Sequence, residues 1–342
     1  MSKIPAIPTQ KWGEYQGKDI LLYTLTNRSG IEISITNFGA IITSVKIPAK
    51  GEKIECVLGF DTFEEYLSEE YRKEYPYLGA VIGRNAGRIK DGKTFIDDKP
   101  VQLTCNHQGS QLHGGHTGFD SVVWDVVETT ASPLPSVTLQ YLSKDGEEGY
   151  PGNLTATVTY TLLEDNSLQI NYGGSTDKPT IFNLTQHAYF NFNHGEGDIL
   201  NHILTINSDK YVPLQEGNFT PTGEILKVEN TPLDYRNGAA VYEHTDNSFV
   251  REIPADQCIG SVTNAENTIT MEVRTNYPVL HIYAGFWIPE LSPKGRKKCG
   301  KNAGLCFEAQ GLADAQNHPH FRSTLFYPNQ KYNYHTNFKF IF

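Results

Sequence analysis

The C-terminal stretch YNYHTNFKFIF, Tyr332 to Phe342, alternates two kinds of side chain with a period of two. Tyrosine and phenylalanine, together with Thr336, occupy its even positions, whereas asparagine, histidine and lysine occupy the odd positions up to Lys339. Successive side chains of a β-strand point to opposite faces. The pattern therefore predicts a strand with one buried face and one more polar face.

The same alternation recurs along most of the chain. Leu154 to Tyr160 and Leu168 to Tyr172 flank the turn-like EDNS at Glu164 to Ser167, which predicts a hairpin. Shorter alternating segments run over Ile31 to Ile35, Val137 to Tyr141, Ile203 to Ile206 and Ile269 to Val273. Many short strands joined by turns rich in glycine and asparagine predict an all-β fold, a large antiparallel β-sandwich.

One helix is predicted within this pattern. Thr62 precedes FEEYLSEEYRKEY, and Glu65 follows it by three residues, as in a capping box. Pro76 comes directly after the segment. We therefore expect one helix over Phe63 to Tyr75.

Length, charge and cysteine content limit the partners and the location. The 342 residues suit one large β architecture or two domains, and the formal net charge of −10 makes nucleic acid and anionic membranes poor partners. The N-terminus shows no signal-peptide pattern, and no window approaches a membrane span. Five widely spaced cysteines suit reduced thiols. We expect a cytoplasmic protein without a membrane partner, as a monomer or weak dimer.

Three separated segments each place a proton-handling residue among glycines, amides and aromatic residues. They are LHGG with His113, NLTQHAYFN with His187, and GLCFEAQ with Glu308. A pyranose needs hydrogen-bond partners for its hydroxyls and aromatic rings for its apolar face. Chemistry at its anomeric carbon needs one group that takes a proton and one that gives a proton. Two imidazoles and a carboxylate can supply both near neutral pH.

At these residues the chain resembles the aldose 1-epimerases, also called galactose mutarotases. The likeness covers nearly the whole chain and extends to FGAIITSVKIP (38–48), VLGF (57–60), YLGAVIGRNAGRI (77–89), DGEEGYPG (145–152) and TPTGE (220–224). The resemblance implies a single twisted β-sandwich domain over residues 1–342, of the galactose mutarotase-like supersandwich type. It also implies a small aldohexose as substrate and no cofactor.

The resemblance assigns roles residue by residue. Glu308 matches the family's base and His187 its acid, while His113 and Arg88 match residues that bind sugar hydroxyls. Acid and base together predict a bell-shaped pH dependence, and a carboxylate near His187 would widen it. The family also has a sugar-binding aspartate in a later loop. Asp256 is our candidate, although the family usually has an aspartate-histidine pair in a longer loop.

Four further positions depart from the family pattern. The family commonly has asparagine at Gly87 and Gln186, a small hydroxyl residue at Ala188, and glutamine at Tyr277. Those at Gly87, Gln186 and Tyr277 leave open a non-catalytic sugar-binding or regulatory protein on the same scaffold.

Two other interpretations use other residues. A glycoside hydrolase would need two carboxylates flanking the bond, and Asp145, Glu147 and Glu148 are available beside Glu308. A metal site is not expected, because His113, His116 and the histidines of HPH (318–320) lack the spacing of metal ligands. On its own, His187 or His113 fits a structural role better than a catalytic one. The order and joint presence of the three motifs favour the epimerase.

Overall fold

A computed structural model describes residues 7–292 and 298–342, and strands dominate it. In chain order they are β1 (Thr9–Tyr15), β2 (Lys18–Thr26), β3 (Glu32–Thr36), β4 (Ile42–Ala49), β5 (Glu52–Glu55), β6 (Val81–Ile82), β7 (Arg88–Ile89), β8 (Lys93–Ile96), β9 (Lys99–Gln102), β10 (Gln111–Leu112), β11 (Asp125–Thr130), β12 (Ser136–Ser143), β13 (Leu154–Leu162) and β14 (Ser167–Thr176). They continue as β15 (Thr180–Ile181), β16 (Thr185–Gln186), β17 (Tyr189–Phe190), β18 (Ile203–Ile206), β19 (Lys210–Val212), β20 (Leu226–Lys227), β21 (Ala239–Ala240), β22 (Asp246–Val250), β23 (Gly260–Thr263), β24 (Thr270–Thr275), β25 (Val279–Tyr283), β26 (Leu305–Gln310), β27 (Leu325–Phe326) and β28 (Tyr334–Ile341).

Three sheets organise these strands. A nine-stranded sheet has the order β11-β12-β13-β14-β28-β24-β23-β18-β21, and a six-stranded sheet has the order β17-β26-β25-β22-β19-β20. A five-stranded meander runs from β1 to β5, and short two-stranded pairs complete the description. The pairs within all three sheets are antiparallel. The antiparallel β-sandwich predicted from period two is confirmed.

The predicted hairpin and the predicted C-terminal strand lie side by side in the nine-stranded sheet. Strand β13 pairs with β14 as a hairpin, in which Leu162 lies opposite Leu168. Strand β28 pairs with β14 on one side and β24 on the other. Its buried residues are Thr336, Phe338 and Phe340, as the alternation predicts.

The main core lies between the nine-stranded and six-stranded sheets. One cluster of buried apolar residues takes members from both, including Phe338 of β28 and Phe307 of β26. Phe190 of β17 packs its ring against that of Phe338, with centroids 5.3 Å apart. On the other face of the six-stranded sheet, Tyr189, Tyr283 and Cys306 belong to a second apolar cluster.

The predicted single helix is two shorter ones, so that prediction is wrong in its extent. They are α1 (Phe63–Tyr66) and α2 (Glu69–Glu74). Ser68 has extended backbone, and its hydroxyl accepts a hydrogen bond from the Tyr71 backbone N–H, so it begins a new helix. The predicted capping box of Thr62 and Glu65 is confirmed at α1. Within the described residues no helix is long and apolar enough to span a membrane.

Candidate active site

Three neighbouring strands of the six-stranded sheet carry a row of polar side chains on the face turned away from the core. Ser248 of β22 lies opposite His281 of β25, and His281 lies opposite Glu308 of β26. Residues directly opposite each other in an antiparallel pair share a face. All three line one cleft. The residues between them, such as Ile282 and Phe307, lie in the main core.

The cleft has the size and lining of a small-ligand site. Its volume is about 510 Å³, within the usual range for ligand pockets. Its aromatic walls include Tyr77, Tyr189, Tyr283, Phe219 and Trp287. Such rings can cover the apolar face of a sugar.

Glu308 and His187 face each other in the cleft. The distance between Glu308 Oε1 and His187 Nε2 is 3.6 Å, and their side chains are only 3% and 4% exposed. Two backbone hydrogen bonds hold His187, because its N–H donates to Ala80 O at 2.9 Å and its carbonyl accepts from Gly79 at 3.0 Å. A carboxylate and an imidazole are thus fixed close together and largely shielded from water.

Burial sets the protonation of His187. It lowers the pKa of His187 below the usual 6.5, and the charge of Glu308 only partly offsets this effect. The net direction is opposite to the widening that we expected from a nearby carboxylate. The second ring nitrogen, Nδ1, lies 3.5 Å from Cys306 Sγ. Burial also raises the pKa of this thiol well above 9.0, so Cys306 meets His187 as a neutral group.

His113 is held by the segment that also contains Arg88. The Gly87 N–H donates to His113 Nδ1 at 3.2 Å, and the His113 N–H donates to Gly87 O at 3.1 Å. The neutral ring therefore carries its hydrogen on Nε2. Burial, and then the positive charges of His187 and Arg88, hold the pKa of His113 well below 6.5. The ring is a neutral hydrogen-bond donor.

The glycine after His113 explains part of the LHGG motif. Gly114 has φ +94°, and a Cβ there would lie 1.9 Å from Gly83 O. A side chain would therefore clash with backbone as well as strain the turn. This close approach keeps His113 against the cleft.

Arg88 lies in the cleft beside an aromatic wall. Its guanidinium carbon is 5.4 Å from the centroid of the Phe219 ring. Its Nε is buried and has no hydrogen-bond partner among the residues that the structure describes. A sugar hydroxyl would satisfy this donor.

The structure does not bring Asp256 into this site. Asp256 is exposed, its carbonyl accepts from Arg274 Nε at 3.1 Å, and it is absent from the described cleft lining. Asp246, ten positions earlier at the start of β22, lines the cleft instead. Both residues lie between TPLDYR (231–236) and TNYPVLHIYAGF (275–286), the two segments that bound the region in which the aspartate is expected. The alternation of Asp246, Ser248 and Val250 in β22 is the signal that could have separated them.

Sequence reasoning also missed His281, which forms a compact pair with Asp246. The His281 Nε2 lies 2.9 Å from Asp246 Oδ1, and Nδ1 lies 3.0 Å from Ser248 Oγ. Burial acts to lower the pKa of His281, but the hydrogen bond and charge of Asp246 raise it above 6.5. Burial acts to raise the pKa of Asp246, but the pairing with His281 leaves it lowered. Asp246 is thus an anchored anion in the cleft.

The carboxylates considered for a glycoside hydrolase are engaged elsewhere. Glu147 accepts hydrogen bonds from the hydroxyls of Tyr141 and Ser143. Glu148 accepts from the backbone N–H groups of residues 116 and 117. Asp145 pairs with Lys178 at 2.6 Å. These contacts give each acid a structural role.

Of the four departures from the family pattern, Gly87 lines the cleft. Gln186 donates to the Tyr160 hydroxyl at 3.0 Å. Tyr277 stacks on Tyr334 with centroids 4.2 Å apart, and Ala188 is buried in the main core. Packing accounts for Tyr277 and Ala188, whereas Gln186 keeps a buried Oε1 without a partner among the described residues.

In the part of the chain that the structure describes, one group of residues has the proximity needed for a metal ion. Potential ligand atoms of His187, Cys306 and Glu308 lie within 4.8 Å of one another. A thiol binds metal as the thiolate, which the raised pKa of Cys306 disfavours. A metal bound here would therefore have to displace the proton of this buried thiol.

Comparison with known proteins assigns nearly the whole chain to one family. The sequence profile of the aldose 1-epimerase family matches residues 21–339. Galactose mutarotase from Rattus norvegicus is 35% identical over 322 residues, covering 91% of each chain. Aldose 1-epimerase from Escherichia coli (strain K12) is 31% identical over 342 residues, covering 95% of this chain and 96% of its own. The chain belongs to the aldose 1-epimerase family.

Solved structures agree. A galactose 1-epimerase from Lactobacillus acidophilus has a TM-score of 0.84 and 27% identity, and the match covers 98% of this chain and 99% of that one. An aldose epimerase homologue from C. elegans has a TM-score of 0.86 and 29% identity, covering 94% of this chain and 98% of that one. The fold is therefore that of the galactose mutarotase-like proteins.

Proposed function

We propose that the protein interconverts the α- and β-anomers of free hexoses such as galactose and glucose, with Glu308 as base and His187 as acid. The observation that carries this proposal is the buried Glu308–His187 pair, 3.6 Å apart, in a cleft on a chain of this family. The relatives' names support the reaction and the hexose class.

The pair can open and close a hemiacetal ring without any net consumption of protons. Glu308 takes the proton of the C1 hydroxyl, the bond between C1 and the ring oxygen breaks, and His187 gives its proton to that oxygen. The resulting aldehyde rotates about the bond from C1 to C2. On closure His187 takes the hydroxyl proton back and Glu308 returns its proton to the C1 oxygen. Each such positioned group contributes on the order of 10² to 10⁴ in rate.

Three further side chains would hold the sugar. His113 offers a neutral N–H, Arg88 a guanidinium with a buried unpartnered Nε among the described residues, and Asp246 an anchored carboxylate. Donors and an acceptor together suit hydroxyl groups, which do both. We assign Asp246 the role that we expected of Asp256, because Asp246 is the one that lines the cleft.

We further propose one domain over residues 1–342, acting in the cytoplasm as a monomer or weak dimer. The family match over residues 21–339 supports the single domain. Five widely spaced cysteines suit a reducing compartment. The net charge of −10 opposes self-association.

Polarimetry tests the proposed function. Freshly dissolved α-galactose or α-glucose should approach its equilibrium rotation faster in proportion to enzyme added, with the same rate in EDTA. A rate equal to that of buffer alone would contradict the proposed function. Loss of the acceleration in EDTA, with recovery on adding a divalent ion, would contradict the mechanism drawn from these residues.

A further inference from the structure

Gln310 is a cleft residue for which the mechanism above has no use. It ends β26 two positions after Glu308, so both side chains leave the strand on the same face. Gln310 is 2% exposed and lines the cleft. Its position is fixed by the sheet, because its backbone pairs with Val279 in the β25–β26 ladder.

On the β25 side, the neighbours of Gln310 across the sheet are apolar. Val250 lies opposite Val279, and Val279 lies opposite Gln310, so the three residues form a row. Val279 packs with Leu312 and Phe321 in a small apolar cluster. Packing alone would favour a leucine or methionine at the end of this row, so the amide calls for a polar explanation.

The amide oxygen of Gln310 has no hydrogen-bond partner within residues 7–292 and 298–342, although it is fully buried. A buried acceptor left unsatisfied costs free energy comparable to a lost hydrogen bond. In a cleft, a ligand can satisfy such a group. The nearby Arg88 Nε is a second buried atom unpartnered within those ranges, and it is a donor.

Small residues leave room beside the amide. Gly87 has φ +80°, and a Cβ there would lie 2.6 Å from Ala313 Cβ and 3.7 Å from Gln310 Nε2. Gly87 and Ala313 both line the cleft. Because Gly87 has no side chain, the amide of Gln310 meets the cleft at this point.

We infer that Gln310 is a further sugar-binding residue, whose side-chain amide, with Nε2 on the Gly87 side, hydrogen-bonds one hydroxyl of the hexose. This inference rests on the proposed function. The hydroxyl can at the same time accept a hydrogen bond from a donor such as Arg88 Nε, because a hydroxyl both donates and accepts. The contact supports sugar binding and leaves proton transfer to Glu308 and His187.

The test compares Gln310→Leu with wild type by polarimetry over a range of α-galactose concentrations. Loss of one hydrogen bond should raise KM by roughly three- to tenfold while kcat falls by less. Thermal unfolding of the variant should occur at the wild-type temperature or above, because the unsatisfied acceptor is gone. Ser167→Ala is the control, since Ser167 Oγ is also buried and unpartnered among the described residues but belongs to β14 of the other sheet. Its KM should not change.

Deoxygalactoses identify the hydroxyl. For one of the 2-, 3-, 4- and 6-deoxy sugars, the KM of Gln310→Leu should match that of wild type. That sugar lacks the hydroxyl that Gln310 binds, so neither enzyme can form the contact. The inference is wrong if KM for galactose stays within about twofold of wild type, or if the ratio of the two KM values is the same for every deoxy sugar. Gln310→Met carries the same comparison if the leucine variant folds poorly. A wild-type enzyme without any acceleration would instead overturn the proposed function itself.

Discussion

Replacing Glu308 with glutamine separates catalysis from binding most sharply. Glutamine keeps the size of the buried side chain and its place in β26, but it cannot accept the proton of the C1 hydroxyl. The rate should fall by about 10² to 10⁴, equivalent to ~2.7 to 5.5 kcal/mol of transition-state stabilisation. Sugar affinity should change by no more than about threefold, since an amide oxygen can still accept a hydroxyl hydrogen bond.

The substitution has a second effect that can be measured. The charge of Glu308 raises the pKa of His187 against the larger effect of burial. Without that charge the pKa of His187 should fall further below 6.5, so the residual activity should be lost at lower pH than in wild type. The assay is polarimetry with fresh α-galactose between pH 5 and 8, with calorimetric titration of galactose for affinity.

Glu272→Gln is a matched control for loss of a carboxylate. Glu272 lies on β24 of the nine-stranded sheet and pairs with Arg274 at 2.8 Å. This variant should keep wild-type kcat and KM. If Glu308→Gln keeps more than roughly a tenth of the wild-type kcat, the base is another residue.

Three further predictions concern the residues of the cleft. The kcat/KM of wild type should decline as pH rises, with a midpoint below 6.5, because burial lowers the pKa of His187 and this acid must be protonated. A midpoint clearly above 6.5 that is unchanged in His187→Asn would assign this decline to another group. Asp246→Ala should raise KM for galactose by roughly three- to thirtyfold, whereas Asp256→Ala should leave it unchanged; the reverse ranking would restore Asp256 to the site. His281→Ala should raise KM with a smaller effect on kcat. His281→Gln should have a KM closer to that of wild type, because the glutamine amide can still donate to Asp246. Equal KM values for the two variants would show that His281 supplies charge and does not orient Asp246.

Local pattern carries a great deal of this fold, because a strand imposes the same period wherever it lies. The alternation in Tyr334–Ile341 predicts a strand and its buried face without knowledge of any neighbour. The helix shows the limit of such reasoning. The composition of 63–75 favours one helix, but Ser68 satisfies a backbone donor and starts a second.

The site residues also divide into those that sequence motifs reveal and those that only the fold brings together. His113, His187 and Glu308 lie in motifs that can be read along the chain, and the structure brings them to one cleft. Asp246 and His281 are 35 positions apart and meet only through the pairing of β22 with β25. Strand register depends on contacts between distant segments, which periodicity within either segment does not specify.

Glu308 and His281 lie within a sheet, which links this part of the site to the core. In β26 the residues Leu305, Phe307 and Ala309 belong to the main core, while Glu308 and Gln310 face the cleft. A slip of one residue in the pairing with β25 would place Glu308 in the core and Phe307 in the cleft. The apolar side chains that stabilise the sandwich therefore also fix the register in which Glu308 lies opposite His281. Burying a charged carboxylate in the core is very unfavourable, so Glu308 itself helps to exclude the slipped pairing.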